Sequence, residues 1–266
     1  PYYIQMERML AGMLTRKPVR LSNVPEIIEE ELFDTDLEGN NLTNFIYNIS
    51  RLCIRYGHIG VLVDAPAKGG RPYWIPYTPR DIIGWRTEIQ EGLRKLTQLR
   101  LTERIIKPKG LYGEETIEQI RVLEPGIYKL FQRNNDGDFK KVEEGNTSLD
   151  FIPFSVAYSN KVGIFESRPP LEDIAELNIK SYQIQSDYDN QLHISAVPML
   201  AFFGFPAAAE EVSAGPNEAL SLPEGSSAGY IEPNGNSFQA QKERIDKLEY
   251  QINNLGLAAI LGQKMS

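Results

Sequence analysis

Cysteine, histidine and long apolar runs are scarce in this chain of 266 residues. The single cysteine, Cys53, excludes an internal disulfide and fits a reducing compartment. The two histidines, His58 and His193, accompany no nucleophile motif, and no Cys/His cluster has the spacing of a metal site. The longest apolar runs, such as residues 198–205, are far shorter than the ~20 residues that a membrane span needs. The sequence therefore predicts no bound metal or cofactor and no membrane partner.

Basic residues are also in the minority, with 28 Lys and Arg against 36 Asp and Glu, and a net charge of −8. This balance argues against tight wrapping of nucleic acid, because neutralising phosphates requires clustered cations. An acidic or neutral wall is nevertheless what DNA needs in order to slide past a protein. The chain begins Pro1-Tyr2-Tyr3, with neither an initiator Met nor a signal pattern, and we expect it to be a piece of a longer protein.

The N-terminal part has helical periodicity. A stripe of apolar residues predicts a helix from residue 3 to 14 that stops at Lys17-Pro18, and residues 24–34 predict a second, acidic helix. Asn40 or Asn41 is suited to cap a third helix, whose apolar stripe runs from residue 42 to 56 and stops at Gly57. Residues 19–21 are predicted as a short strand.

The pattern changes to short strands at residue 59. An apolar run at 59–64 predicts a buried strand, and 73–77 its hairpin partner after the turn at 68–72. Residues 78–83 predict a short helix. Antiparallel strands are predicted at 84–87, 96–106, 116–123, 126–132, 139–143 and 151–158, separated by turn residues such as Asp136-Gly137. Helices followed by an antiparallel sheet indicate an α+β arrangement.

Two helices, predicted at 169–195 and 237–255, follow this β-rich layer. They are separated by an insert rich in Gly, Pro, Ala and Ser that contains strand-like runs at 197–204 and 229–231. The two helices form a long helical hairpin, and the insert forms a small module at its tip. This part of the chain contains no catalytic motif, so the sequence favours a structural or assembly protein.

Two other classes of function stay open at this point. One is a hydrolase that uses paired carboxylates in the β-rich layer, although the chain has no nucleophile, metal or phosphate motif. The other is a binding module that stacks a ligand on Tyr73, Trp74 and Trp85. For these rings, together with Tyr77, packing in the core is the more common role.

Six short stretches are informative through their order along the chain. They are residues 9–18, a helix ending in Arg16-Lys17-Pro18; 44–64, a helix, a Gly turn and a buried strand; 76–85, ending in Gly84-Trp85; 151–154 and then 170–178; 186–190, Ser-Asp-Tyr-Asp-Asn within a helix; and 230–235, before an amphipathic helix. In this order they resemble the portal proteins of tailed bacteriophages. The resemblance extends over almost the whole chain.

The resemblance implies a division into four regions. Residues 1–166 would form the wing, 167–196 the first stem helix, 197–236 the clip, and 237–266 the second stem helix, which leads toward a tunnel and crown beyond the chain. Portal subunits form a closed ring, usually dodecameric, at one vertex of the capsid in the virion, assembled in the host cytoplasm. The implied partners are other copies of the chain, the large terminase subunit, a head-completion or adaptor protein, capsid and scaffold proteins, and double-stranded DNA passing through non-specifically.

Three groups of candidate functional residues follow, and no catalytic group is among them. Acidic residues of the first stem helix are predicted to face the channel: Glu172, Asp173, Glu176, Asp187 and Asp189. Apolar residues of the clip are predicted to dock partners or neighbouring clips: Phe202, Phe203, Phe205, Leu220, Leu222 and Pro223. The stripe of the second stem helix is predicted to pack between subunits, with a role in the chain's own core as the equal alternative: Phe238, Ile245, Leu248, Ile252 and Leu255.

Overall fold

The computed structural model describes residues 2–66, 69–134, 136–196, 199–204, 222, 224–231 and 236–261. It divides into two compact units, Pro1–Asp173 and Ile174–Ser266. Helices and antiparallel sheets are both prominent, which confirms the predicted α+β class. Within the described ranges, no helix is both long enough and apolar enough to cross a membrane.

Three helices open the first unit: α1 Tyr2–Leu14, α2 Glu26–Glu31 and α3 Leu42–Tyr56. The predicted ends of α3 are confirmed. The Asn41 side chain accepts a hydrogen bond from the Asn44 amide at 3.0 Å, and Gly57, with φ +86°, donates its amide to the Cys53 carbonyl. The strand predicted at 19–21 is wrong, because the Val19 amide instead donates to the Thr43 hydroxyl at 3.2 Å and the segment stays irregular.

A buried carboxylate joins α1 to α3. Glu7 has no exposed side-chain surface, and its two oxygens accept hydrogen bonds from the guanidinium groups of Arg51 and Arg55, with closest approaches of 2.9 and 2.8 Å. The hydrogen bond to Glu7 is the main reason that the pKa of Arg55 is raised. A buried acid is tolerated here because two cations and several hydrogen bonds compensate its lost hydration.

The strands form two sheets and two small two-stranded hairpins. In chain order they are β1 His58–Asp64, β2 Tyr73–Tyr77, β3 Ile82–Gln90, β4 Leu93–Lys109, β5 Gly113–Glu124, β6 Ile127–Arg133, β7 Phe139–Asn146, β8 Phe154–Tyr158, β9 Lys161–Gly163, β10 Glu166–Ser167, β11 Met199–Phe203 and β12 Ser227–Ile231. The first sheet has the order β2-β1-β8, and the second is the meander β3-β4-β5-β6-β7. Neither β9 nor β10 was predicted from the sequence.

Strand β1 lies at the centre of the first unit. On one face Ile59 packs against Phe45 and Ile49 of α3, and on the other Leu62 packs with Leu99 of the large sheet. A strand covered on both faces is continuously apolar, as the sequence of 59–64 predicted. Gly60 has no room for a side chain, because the Phe154 ring occupies the place where a Cβ would lie.

One predicted helix in the first unit is wrong. Residues 78–81 form a turn that leads directly into β3, and Asp81 closes the turn by accepting hydrogen bonds from the amide and hydroxyl of Thr78 at 2.8 and 2.6 Å. Asp and Thr favour such local side-chain bonds, which compete with helix formation. Strand β3 therefore begins at Ile82, earlier than the sequence pattern predicted.

The second unit has the predicted order of helix, insert and helix, and the structure adds that two strands of the insert pair as a β-hairpin. Its helices are α4 Glu172–Ser195, whose first two residues belong to the first unit, and α5 Asn236–Leu261. Between them β11 pairs antiparallel with β12, so that Met199 lies opposite Ile231 and Phe203 opposite Ser227. The Tyr188 and Phe238 rings meet edge to face with centroids 6.3 Å apart, which places the last turns of α4 against the start of α5.

Candidate functional site

The first candidate surface is an exposed acidic arc on α4. At 100° per residue, four of the five acidic residues predicted to face a channel share an arc of about 100°: Glu172, Asp173, Glu176 and Asp187, all exposed. Glu172 and Asp173 lie in the first turn, where the helix dipole favours negative charge. The arc faces away from Ile174 and Ser181, the buried residues of this helix.

Asp189 does not belong to the acidic arc. It lies about 150° around the helix from the middle of the arc, although it is also exposed. A single straight wall cannot use both Asp187 and Asp189, since residues two apart on a helix point to nearly opposite sides. The prediction that all five residues share one face is therefore wrong for Asp189, and channel-facing by the four residues of the acidic arc stays a prediction.

The second candidate surface is the β11–β12 hairpin, which exposes apolar side chains on both faces. Residues directly opposite across the pair share a face, so Met199, Phe203 and Ile231 lie on one side, and Tyr230 lies on the other. Met199 and Tyr230 are each 71% exposed and Phe203 is 54% exposed. A two-stranded hairpin is at best marginally stable alone. Exposed apolar groups on such a hairpin are typical of a surface that a partner covers.

The predicted docking residues of the clip have different environments. Phe203 is exposed, whereas Phe202 and Leu222 are partly buried. Phe205, Leu220 and Pro223 lie outside the described residues. Among the predicted residues that the structure describes, Phe203 is thus the most accessible to a partner, and the structure adds Met199, Tyr230 and Ile231 as exposed apolar neighbours on the same hairpin.

The third candidate surface, the stripe of α5, is partly corrected. Leu248 and Ile252 have no exposed surface within the chain itself, so they belong to its core and offer nothing to a neighbouring subunit. Phe238, Ile245 and Leu255 are partly buried, and subunit packing by them stays a prediction. The opposite face of α5 carries Tyr250 and Leu257, 67% and 55% exposed.

Two carboxylates of the β-rich layer, those of Asp64 and Glu103, form salt bridges with the same arginine. Arg121 on β5 contacts Asp64 of β1 at 2.9 Å and Glu103 of β4 at 2.7 Å, and thereby bridges the two sheets. Gln119 also donates to Glu103, and so does the Tyr77 hydroxyl at 2.5 Å. Burial, and then the charge of Glu103, raise the pKa of Tyr77 well above its ordinary value. Carboxylates whose oxygens are held in this way serve to join the sheets.

The four aromatic residues proposed as a stacking platform do not form one surface. Three of the rings pack against different partners. The distance between ring centroids is 5.6 Å for Trp74 and Phe45, 6.2 Å for Tyr77 and Phe154, and 4.8 Å for Trp85 and Phe165. Alternation along β2 sends Trp74 to the opposite face from Tyr73 and Tyr77. The interpretation of these rings as packing groups is confirmed for these three contacts, and a platform of Tyr73, Trp74 and Trp85 is wrong.

The two histidines lie on different elements and in different environments. His58 is buried, and its Nδ1 lies 3.3 Å from the Ser167 hydroxyl, which ties β1 to the residue that ends β10. Burial lowers the pKa of His58. His193 is exposed in the last turn of α4. Across the described ranges, no three His, Cys, Asp or Glu side chains are grouped as metal ligands.

Two features of the first unit were missed from the sequence. Arg121 lies between Ile120 and Val122 on β5, and its partner Asp64 ends the apolar run of β1, so neither charge indicates the other in the sequence. Leu111 and Tyr112, 85% and 95% exposed, lie in the turn between β4 and β5, where an apolar pair between Gly110 and Gly113 is unusual. An apolar pair in a glycine-bounded turn is a usable signal of an exposed apolar tip.

Comparison with known families gives a match to part of the chain. A family model described as a domain of unknown function, DUF4055, matches residues 170–266. The matched stretch begins just before α4 and continues beyond the hairpin and α5, so it coincides closely with the second unit. A search of curated proteins finds no match to the chain.

Proposed function

We propose that this chain is the wing, stem and clip part of a phage portal subunit, a structural protein that forms a ring at the capsid vertex. The observation that carries the proposal is the helix, hairpin and helix of the second unit, with an acidic arc along α4 and exposed apolar groups on β11–β12. The ordered sequence resemblance to portal proteins supports the same assignment.

The acidic arc suits a channel through which DNA moves. Glu176 and Asp187 present negative charge that repels phosphates. The exposed Lys180 lies in the same arc, which with its four acidic residues keeps a net charge of −3, so DNA is guided without being held. This surface would line the passage during packaging and ejection of the genome. The tied carboxylates Asp64 and Glu103 favour this structural function over the hydrolase alternative.

The exposed apolar groups suit assembly. A closed ring needs two different surfaces on each subunit that meet around the ring. Ile179 and Tyr182 on α4, 58% and 72% exposed, and Tyr250 and Leu257 on α5 are among the apolar side chains that the stem offers to neighbouring copies. The β11–β12 hairpin would dock the large terminase subunit during packaging and an adaptor protein afterwards, in the host cytoplasm and then in the virion.

A mass measurement on the intact protein tests the ring. We expect the full-length protein at micromolar concentration to sediment as one large closed species of about a dozen copies, because heterologous contacts that close leave no free ends. Light scattering after size-exclusion chromatography gives the mass, and electron microscopy of the same fraction shows whether the particle is a ring. A protein that stays a monomer or dimer at high concentration would contradict the proposal.

Charge reversal on α4 tests the channel. In the full-length protein, Glu176→Lys with Asp187→Lys is expected to make the assembly retain double-stranded DNA, with an affinity that falls steeply with salt, since each added phosphate contact contributes a slope of about 0.9. The matched control is Glu243→Lys with Asp246→Lys, which changes the net charge equally on the exposed side of α5. Equal DNA retention by both variants, measured by filter binding across a salt series, would count against a channel lined by α4.

A further inference from the structure

A short strap, residues 159–168, follows β8 and ends just before α4. Its two strands, β9 and β10, have three and two residues, and their register shifts between Glu166 and Ser167. Val162 is 59% exposed and Ile164 is 36% exposed. A two-stranded hairpin is marginally stable at best, and this one is shorter than most. The strap therefore depends on side chains of the surrounding elements to hold it in place.

The turn of the strap holds Phe165 in a strained conformation. Phe165 has φ +55°, in the left-handed region that large side chains rarely adopt. Its amide donates to the Tyr158 hydroxyl at 3.0 Å, and its ring packs against Trp85 and Phe154, with centroids 4.8 and 6.0 Å away. Backbone strain of this kind persists only while the surroundings enforce it, and it is found at elements that switch. Release of the ring removes the strain.

His58 contacts the residue before the strap and a residue near its end. The imidazole is 5.8 Å from the ring of Tyr158, which lies opposite His58 in the pairing of β1 with β8. Its Nδ1 lies 3.3 Å from the Ser167 hydroxyl. Ser167 in turn lies directly over Gly57, where a Cβ would collide with the same hydroxyl. Because His58 is only 6% exposed, the closed strap contributes to the burial of an ionisable ring.

A protonated His58 lacks a counter-ion while the strap is closed. The neutral imidazole donates from one nitrogen and accepts at the other, whereas the imidazolium donates from both and carries a full charge. Ser167 is its hydrogen-bond partner among the described residues, and burial is the cause that lowers the pKa of the ring. Arg55 is paired with Glu7, and the charged residues of the strap are exposed. The titratable side chains of the elements around His58 are Cys53, Arg55 and Tyr56 of α3, Tyr158 of β8, Lys161 of β9, Glu166 of β10 and Arg168.

We propose that the strap is an acid-sensitive latch, in which protonation of His58 favours a released state where Phe165 leaves Trp85 while both sheets stay folded. In the released state water reaches the imidazole and hydrates its charge, and Phe165 returns to an ordinary backbone conformation. The strap ends just before α4, so release loosens the connection to the start of that helix. The latch acts within one chain and does not depend on the proposed ring.

The direction of the pH dependence follows from the burial of His58. The closed state has the lower pKa and so binds the proton less readily than the released state, in which the pKa is near its ordinary value of about 6.5. Above that value the ring is neutral and the latch stays closed. As the pH falls below it, toward the lowered pKa of the closed state, release becomes progressively more favourable.

Hydrogen exchange of the full-length protein tests the latch. The Phe165 and Arg168 amides report the closed state, since they donate to the Tyr158 hydroxyl and the Asn160 carbonyl at 3.0 and 3.1 Å. Between about pH 7.5 and about pH 5.5, corrected for intrinsic rates, the open fraction at both amides should rise about threefold or more. Amides of β1 that pair with β8 should not change. Equal acceleration in β1, or none in the strap, would overturn the latch.

The two histidines of the chain provide a matched pair of variants. His58→Gln retains a side chain that can bond Ser167 but takes up no proton near neutral pH, so the pH dependence of exchange in the strap should vanish. His193→Gln removes the exposed histidine in the last turn of α4 and should leave that dependence intact. Persistence of the dependence in His58→Gln, or its loss in His193→Gln, would overturn His58 as the sensor.

Removal of one hydroxyl tests how the strained turn is held, and it serves also if His58→Gln does not fold. Tyr158→Phe removes the acceptor of the Phe165 amide, so the open fraction should rise about fivefold to tenfold at both pH values and keep its pH dependence. The control is Tyr128→Phe, whose lost hydroxyl donates to Glu143 at 2.8 Å in an exposed contact of the same unit. Unchanged exchange in Tyr158→Phe, or equal changes in both variants, would overturn the latch.

The latch and the proposed ring fail separately. A protein that stays monomeric but opens its strap at acid pH would contradict the ring and support the latch. A closed ring whose strap exchanges at the same corrected rate at both pH values would overturn the latch and leave the ring intact.

Discussion

Replacing Arg121 by methionine is expected to lower the free energy of unfolding by about 3 kcal/mol or more. The side chain is only 16% exposed and neutralises Asp64 and Glu103, which are 23% and 11% exposed. Methionine keeps the apolar stem but leaves two carboxylates close together without a cation. Urea denaturation of the chain gives the measurement.

Two further variants separate the charge effect from a general loss of packing. Arg133→Met removes the same kind of side chain from the same sheet, but its contact with Glu118 is about half exposed on both sides, so we expect at most about 1 kcal/mol. Adding Asp64→Asn and Glu103→Gln to Arg121→Met should recover most of the lost stability. If the triple variant were as unstable as Arg121→Met alone, the bridge would owe its effect to packing and not to charge.

Replacing Glu7 by glutamine is the second large change, with an expected loss of about 2–3 kcal/mol. Glu7 is fully buried, whereas its partners Arg51 and Arg55 are 28% and 36% exposed and can turn partly toward water. Because the arginines can regain hydration, the expected loss of stability is at or below the lower end of the roughly 3–5 kcal/mol found when one partner of a buried ion pair is removed. Glutamine preserves the shape of the side chain and can accept fewer charged hydrogen bonds, so the attachment of α1 to α3 weakens.

Hydrogen exchange locates this effect within the molecule. Amides of Tyr2–Leu14 should exchange faster in Glu7→Gln than in the parent chain, because α1 opens locally before the rest unfolds. Glu115→Gln is the control, since its contact with Lys109 is exposed on both sides and its loss should change neither stability nor exchange measurably. Unchanged exchange in α1 together with unchanged stability would contradict a role of Glu7 as the link between the two helices.

Much of the secondary structure could be predicted because its causes are local. The apolar stripe and the caps Asn41 and Gly57 determine α3, and the apolar run after Gly57 determines β1. The errors have local causes as well. Asp81 bonds to Thr78 and converts a predicted helix into a turn, which periodicity alone does not indicate.

The candidate surfaces could be predicted less well, because accessibility depends on what lies opposite. The stripe of α5 is apolar at Ile245 and at Leu248 alike, yet Leu248 is fully buried and Ile245 is not. Acidic residues of α4 could be assigned to a helix, but only their angular positions exclude Asp189 from the acidic arc. The exposure of Tyr112 follows from the length of the hairpin that carries it.

The sequence by itself determined the α+β class, the order of most helices and strands, and the helix, insert and helix of the second unit, since these depend on periodicity, capping and turn residues. Only the tertiary structure decided which charged residues are paired and which apolar residues stay exposed. Arg121 meets Asp64 across two sheets, and Glu7 meets Arg51 and Arg55 across two helices. Such pairs join residues far apart in the chain, and their partners are chosen by packing, which no local pattern specifies.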